Sequence, residues 1–237
     1  LGECVPEPPF LALTVSGGHT AIYRVDSYTD ITLIGTTRDD AIGESFDKIG
    51  RIIGIPYPAG KGFDALSKEG FIKATGDETN FYKKYKKTDA YRDASMVLPS
   101  PALRDGSLDF SFSGLKTAAV NLIHNKQQKG EEINKADLCA SFQHTVTDLL
   151  VGNTVKAATH MKADTIVLAG GVSANSGLRA GMEAACAERG YGLYAPPLSL
   201  CGDNGAMVAA QGYYELLSGH TAGMELNAIA SLPITEE

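Results

Sequence analysis

The chain has 237 residues, 43% hydrophobic and 21% charged, with a formal net charge of −7. It is long enough for one large domain or two small ones with a core of useful size. No apolar run approaches the roughly 20 residues of a membrane span, and the acidic balance does not by itself mark a nucleic-acid binder, Lys83-Lys84-Tyr85-Lys86-Lys87 being the local exception. Cys4, Cys139, Cys186 and Cys201 are far apart without CxxC spacing, so reduced thiols in a cytoplasmic protein are expected rather than a zinc knuckle or a disulfide framework. Leu1-Gly2-Glu3-Cys4 carries no initiator Met and no leader pattern, which reads as a chain that begins in the middle of something.

In chain order, residues 10–25 form two β-rich runs around Ser16-Gly17-Gly18-His19, a hairpin signal, and a third strand follows at 31–36, so an antiparallel meander is predicted. Asp39-Asp40 is expected to cap a helix running through Phe46, Ile49, Ile52 and Ile53, ended by Gly54 and Pro56. Residues 57–62 read as a tight loop before a short helix near 64–68. The polar stretch 71–109 reads as a surface excursion with short helices. Helices are predicted from Ser113 or Gly114 to about 128, and over 136–161 with Phe142, Val146, Leu149, Leu150 and Val155 on the buried side. A strand at 165–170, a loop at 171–175, a helix at 176–189, a strand at 193–196 and a helix at 203–217 then alternate as a parallel βαβ unit would. In such a sheet ligands lie beyond the carboxyl ends of the strands, which is where Gly170-Gly171 falls.

Four segments could carry chemistry. Glycines in 14–19 let a backbone turn aim N–H groups at an anion, and the same residues also suit a plain hairpin turn. Leu168 to Asn175 joins a strand, a double glycine and a helix start, where free N–H groups and the helix dipole favour phosphate; Asn175 is equally suited to be an N-cap. Asp40, Glu44 and Asp47 fall at spacings of four and three, on one helical face, either as a site or as a solvated acidic helix start. Asp203 opens the last helix, as a metal ligand or a cap. The hydroxyls and Lys116 of the segment 110–117 suit contact with an anion.

Taken in order, S-G-G-H-T, D-D-A-x-G-E-x-F-D-K, Y-P-x-G, F-S-F-S-G-L-K-T, A-S-F-Q, G-G-V-S-A-N and D-N-x-A-M make the chain resemble the TsaD/Gcp family, whose eukaryotic and archaeal members belong to the KEOPS complex. The resemblance implies an α/β fold: an actin-like (ASKHA, ribonuclease H-like) lobe, with a mixed sheet flanked by helices plus a helical insertion at about 56–112. The whole chain, 1–237, would be the second of two lobes, with about 203–237 returning toward the first. The implied activity is transfer of a threonylcarbamoyl group from threonylcarbamoyl-adenylate to the exocyclic amine of the adenosine 3′ of the tRNA anticodon. Thr14, Val15, Ser16, Gly17 and Gly18 would meet the phosphate and acyl region, Asp47, Gly60 and Asp64 the ribose or adenine, and Asn175 the adenylate. Asp203 would be one ligand of a divalent metal, iron or zinc. His19, Glu44 and Lys116 match motif positions without an assigned role. Implied partners are tRNA and TsaB/TsaE-type subunits, with room for a homodimer and no membrane.

The family's metal site also uses two histidines four residues apart, and none of His19, His124, His144, His160 and His220 are so spaced. The first lobe is therefore expected to be absent, and the chain alone to be inactive. Ala59, Lys61 and Gly202 stand where the family usually has Gly, Pro and Thr. An actin-like small-molecule kinase and a non-catalytic partner subunit are the alternatives; the old label of metalloprotease finds no support without paired histidines.

Overall fold

The computed structural model describes residues 5–92 and 97–229. The opening Leu1-Gly2-Glu3-Cys4 and the Cys4 thiol lie outside the described residues; Cys139, Cys186 and Cys201 are free thiols. The predicted meander is present as β1 (Phe10–Val15), β2 (Thr20–Val25) and β3 (Ile31–Thr36), paired antiparallel. On its other edge β1 pairs in parallel with β4 (Thr165–Ala169), which pairs in parallel with β5 (Gly192–Tyr194). The sheet order β3-β2-β1-β4-β5 makes β1 the seam between the meander and the βαβ unit. That position explains its composition: Leu11, Leu13 and Val15 are wholly buried, each such side chain contributing about 1.5–3 kcal/mol by burial.

Helix α1 (Ile42–Ile52) has Ala41 as its N-cap, with no side-chain capping bond, so Asp39 and Asp40 do not cap it. Both carboxylates point instead at the start of α5 (Ser113–Gln128). Asp39 accepts from the Phe112 amide at 2.8 Å and from the Ser111 hydroxyl, and Asp40 pairs with Lys116 and, at 3.1 Å, with Lys48. The Lys116 ammonium first, then Lys48, holds the Asp40 carboxyl below its usual range despite partial burial. The anion that the 110–117 segment contacts is thus this internal pair, and the two motifs make one tie between β3–α1 and α5.

The short helix expected near 64–68 is a full one, α2 (Gly60–Thr75), and it packs along α6 (Lys135–Met161). The predicted stripe on α6 is buried, and so is most of the remaining surface of that helix. It is a central helix rather than a one-sided surface one. The excursion holds α3 (Phe81–Tyr85) and α4 (Asp89–Arg92), and Phe71, Phe81, Tyr85 and Ala140 form a small second cluster there. The loop at 171–175 is a 3-10 turn, Gly171–Ala174, leading into α7 (Ser176–Arg189). The last helix, α8 (Gly205–Leu217), begins two residues later than predicted, with Asn204 as its cap. Among the described residues no helix is long and apolar enough to cross a membrane.

His144, on α6, is fully buried against the rings of Phe71, Tyr82, Tyr85 and Tyr91, at centroid distances of 4.9–6.3 Å. Neither ring nitrogen has a hydrogen-bond partner, and the nearest charge is Asp148, 3.6 Å from Nε2. Burial outweighs that carboxylate and holds the imidazole down at about 4. The unfolded chain, with an ordinary histidine near ~6.5, takes up the proton first as pH falls, so stability is lost between ~6.5 and about 4. His144→Phe is expected to lose about 2–3 kcal/mol less than the wild type between pH 7 and 4.5 in urea denaturation. Equal losses would refute this assignment.

Candidate functional site

The carboxyl ends of β1 and β4 lie side by side, Thr14 in register with Ala169. The 16–19 turn and the 170–175 segment therefore meet at one edge of the sheet, and beside them opens a cavity of about 640 Å³. Gly170 makes the close approach possible. Its φ of 88° and ψ of 164° fall where only glycine is comfortable, and a Cβ there would overlap the Val15 carbonyl. The turn is pinned from α1: the Gly43 amide donates to the Ser16 carbonyl at 3.1 Å, and a Cβ on Gly43 would stand 2.6 Å from that oxygen.

Of the residues singled out in the sequence, Gly17, Asp47, Gly60, Asp64 and Asn175 all line this cavity, from four segments distant in sequence. Lys61, Pro58, Gly171, Val172, Ala174 and Leu198 also line it. Thr14, Val15, Ser16 and Gly18 are not among the lining residues. Thr14 Oγ1 donates to the Ala21 carbonyl at 3.4 Å, and the Val15 side chain is core. Ser16 Oγ accepts from the amides of Gly18 at 3.2 Å and His19 at 2.9 Å. Asp203 is exposed and is not among the lining residues. Among the described residues no group of three or more His, Cys, Asp or Glu could hold a metal ion; Asp203 is not supported by companions of the right kind.

The three acidic residues expected on one helical face part company. Lys48 bridges Asp40 and Glu44, while Asp47 turns to the cavity and its Oδ1 accepts the Ala59 amide at 2.7 Å. Asp47 thereby holds the turn, with its cis Tyr57-Pro58 peptide, that starts α2. Asp64, one turn into α2, reaches the N-terminus of α7: its carboxylate accepts from the Ser176 amide at 3.1 Å and the Ser176 hydroxyl at 2.9 Å. Asn175 is the N-cap of α7, its Oδ1 accepting from the Leu178 amide at 2.9 Å. Both readings of Asn175 therefore meet in one residue, at the cap and on the cavity wall. Asp64 already supplies the negative charge that the α7 N-terminus attracts, and a second anion would face two carboxylates, Asp47 and Asp64.

Sequence reasoning gave no role to Gln143, the last residue of A-S-F-Q. It is wholly buried on α6, donates through Nε2 to Asp64 at 2.9 Å and accepts from Asn175 Nδ2 at 2.8 Å. The sequence carried little signal for it, since Gln143 stands in the mixed stretch Ser-Phe-Gln-His-Thr-Val; only its burial shows that the amide needs partners. Arg179 was also missed. Its Nε donates to the Ser173 carbonyl at 2.7 Å and its NH2 group to the Pro196 carbonyl at 2.6 Å, tying the 3-10 turn to the segment that carries Leu198.

A mixed α/β lobe of the actin-like class, with its cavity at the carboxyl ends of two neighbouring parallel strands, is what the fold and site define. The chain belongs to the TsaD family: the family's sequence model, described as tRNA N6-adenosine threonylcarbamoyltransferase, matches residues 2–210. A curated relative of that name from Clostridium botulinum (strain 657 / Type Ba4) is 42% identical over 97% of this chain and 62% of its own length. Another, from Latilactobacillus sakei subsp. sakei (strain 23K), is 45% identical over 95% of this chain and 60% of its own length. The chain thus spans about three-fifths of the relatives it matches. The crystal structure of full-length HypF in its phosphate- and nucleotide-bound form is similar in fold, with a TM-score of 0.54 at 13% identity over 92% of this chain and 41% of that one.

Proposed function

We propose that the cavity receives the adenosine end of an acyl-adenylate, and that the protein transfers the threonylcarbamoyl group of that adenylate to the exocyclic amine of the tRNA adenosine 3′ of the anticodon. The observation that carries this reading is the meeting of Gly17, Asp47, Gly60, Asp64 and Asn175 around one cavity. Two carboxylates suit ribose hydroxyls, and the phosphate and acyl group are assigned to the Ser16-Gly17-Gly18 turn on the family resemblance. In the transfer, the amine nitrogen attacks the carbamoyl carbon and the carbon–oxygen bond to phosphate breaks. AMP leaves with that electron pair, and the amine gives up one proton. Positioning of the amine beside the carbonyl supplies much of the rate, and no covalent nucleophile is needed.

Asp203 is proposed as one metal ligand. The described residues do not complete a site around it, and the metal, iron or zinc, would need its other ligands from elsewhere. The chain is proposed to be the second of two lobes. In support, α8 leaves Met207, Val208, Leu216 and Leu217 exposed, an apolar surface suited to a neighbouring lobe. Partner subunits of the TsaB/TsaE type, a homodimer and a cytoplasmic setting belong to the same proposal. For tRNA, the Lys83–87 run offers less free charge than its sequence suggests, since Lys84 pairs with Asp77 at 2.6 Å and Lys86 with Asp148 at 2.7 Å.

Calorimetric titration with AMP, a non-hydrolysable acyl-adenylate and ATP tests the reading. The acyl-adenylate is expected to bind in preference to ATP. Preference for ATP, with phosphoryl transfer to a small acceptor, would replace it with the kinase alternative.

A further inference from the structure

We infer that Gln143 is a positioning residue for the ligand of this cavity, setting the directions of Asp64 and Asn175 through a one-way chain of hydrogen bonds. The inference rests on the reading of the cavity given above, and it concerns a residue that touches no ligand itself. The Asp64 carboxylate can only accept, so the Gln143 atom facing it at 2.9 Å is the amide nitrogen. The Gln143 oxygen then faces Asn175, whose own nitrogen donates to it at 2.8 Å, leaving the Asn175 oxygen for the Leu178 amide at 2.9 Å. A carboxylate at one end and a backbone N–H at the other leave both intervening amides a single orientation.

The position is not explained by packing. Gln143 is 0% exposed in the middle of α6, where an apolar side chain of the same length would fill the space without a polar group to satisfy. Across from it, α7 has come close: a Cβ on Gly177 would stand 2.6 Å from Gln143 Nε2. The chain consequently joins α2, α6 and α7 at one atom-to-atom path. It leaves two functions for the cavity, an Asp64 Oδ2 whose partner is the Ser176 amide, and the second hydrogen of Asn175 Nδ2. An acceptor and a donor held in fixed relation suit a neutral ligand that offers a hydroxyl and a ring acceptor, which is the chemistry of a purine nucleoside.

Two variants test this with adenosine, which carries no phosphate to titrate between pH 5.5 and 8. Gln143→Met keeps the length and removes both hydrogen bonds; adenosine affinity by calorimetry is expected to fall about 10- to 100-fold. Gln143→Glu donates to Asp64 only when protonated. Its affinity relative to wild type is expected to match the Met variant at pH 8 and to recover as pH falls toward 5.5. A pH-independent ratio for Gln143→Glu, or a Met variant that binds like wild type, overturns the positioning role. A ligand-free arm uses the backbone amide resonances of Ser176 and Leu178. Both should move in the Met variant and titrate in the Glu variant; resonances that stay in place in both also overturn it. Wild type that fails to bind adenosine while these resonances respond removes the nucleoside reading and supports the hydrogen-bond chain.

Discussion

Gly170→Ala is expected to cost about 2–6 kcal/mol, enough to lower the midpoint of thermal unfolding by about 10 °C. Two terms add. The backbone at φ 88°, ψ 164° lies where any L side chain is strained, at about 1–3 kcal/mol. The added methyl would also overlap the carbonyl of Val15. Neither strand can easily yield, because β1 is held by β2 on one side and β4 on the other; forced overpacking typically adds about 1–3 kcal/mol. Gly171→Ala is the internal comparison. A Cβ there meets nothing within 4 Å, and the change is expected to stay within about 0.5 kcal/mol. Calorimetric unfolding of the two variants decides the matter; similar midpoints would mean that the approach of β1 to the 170 turn is not the constraint described.

Asp64→Ala should damage both stability and binding. The substitution strands the buried Gln143 amide, which then has no acceptor, and strips the α7 N-terminus of its carboxylate. The unmet donor costs about 1–3 kcal/mol and the lost cap about 1 kcal/mol, so urea denaturation should show a loss of about 2–4 kcal/mol. AMP affinity is expected to drop about 100-fold, because on the proposed reading the one carboxylate both meets the ribose and, through Gln143 and Ser176, holds Asn175 in place. A variant that keeps its affinity while losing stability would confine Asp64 to a structural role.

The regular parts of the fold were legible because their signals are local. The meander and the β4–α7–β5 unit carry period and turn chemistry within a few residues, and they place Gly17 and Asn175 at strand ends without further information. Helix α2 was underestimated for a physical reason. Its face toward α6 is built from Phe63, Ser67, Gly70 and Phe71, where small residues admit close packing and blunt the apolar stripe. The roles of Asp39 and Asp40 were not legible, since their partners Ser111, Phe112 and Lys116 lie some seventy residues on and no spacing rule connects them. The same holds for Asp64 and Ser176. Resemblance to the family brought Asp47, Gly60, Asp64 and Asn175 together, and the geometry then showed what holds two of them: a glutamine whose amide is invisible to periodicity.

The parallel pairing of Thr14 with Ala169 has a consequence for how the molecule comes into being. The meander closes within residues 10–36, whereas the β1–β4 seam must wait for residues 16–164 to be made. Until then β1 has a bare edge of N–H and C=O groups, rich in Leu and Val, emerging from the ribosome well ahead of its mate. The cavity can therefore close only after β4, and a nascent chain stalled before it would hold Gly17, Asp47, Gly60 and Asp64 without Asn175 to face them.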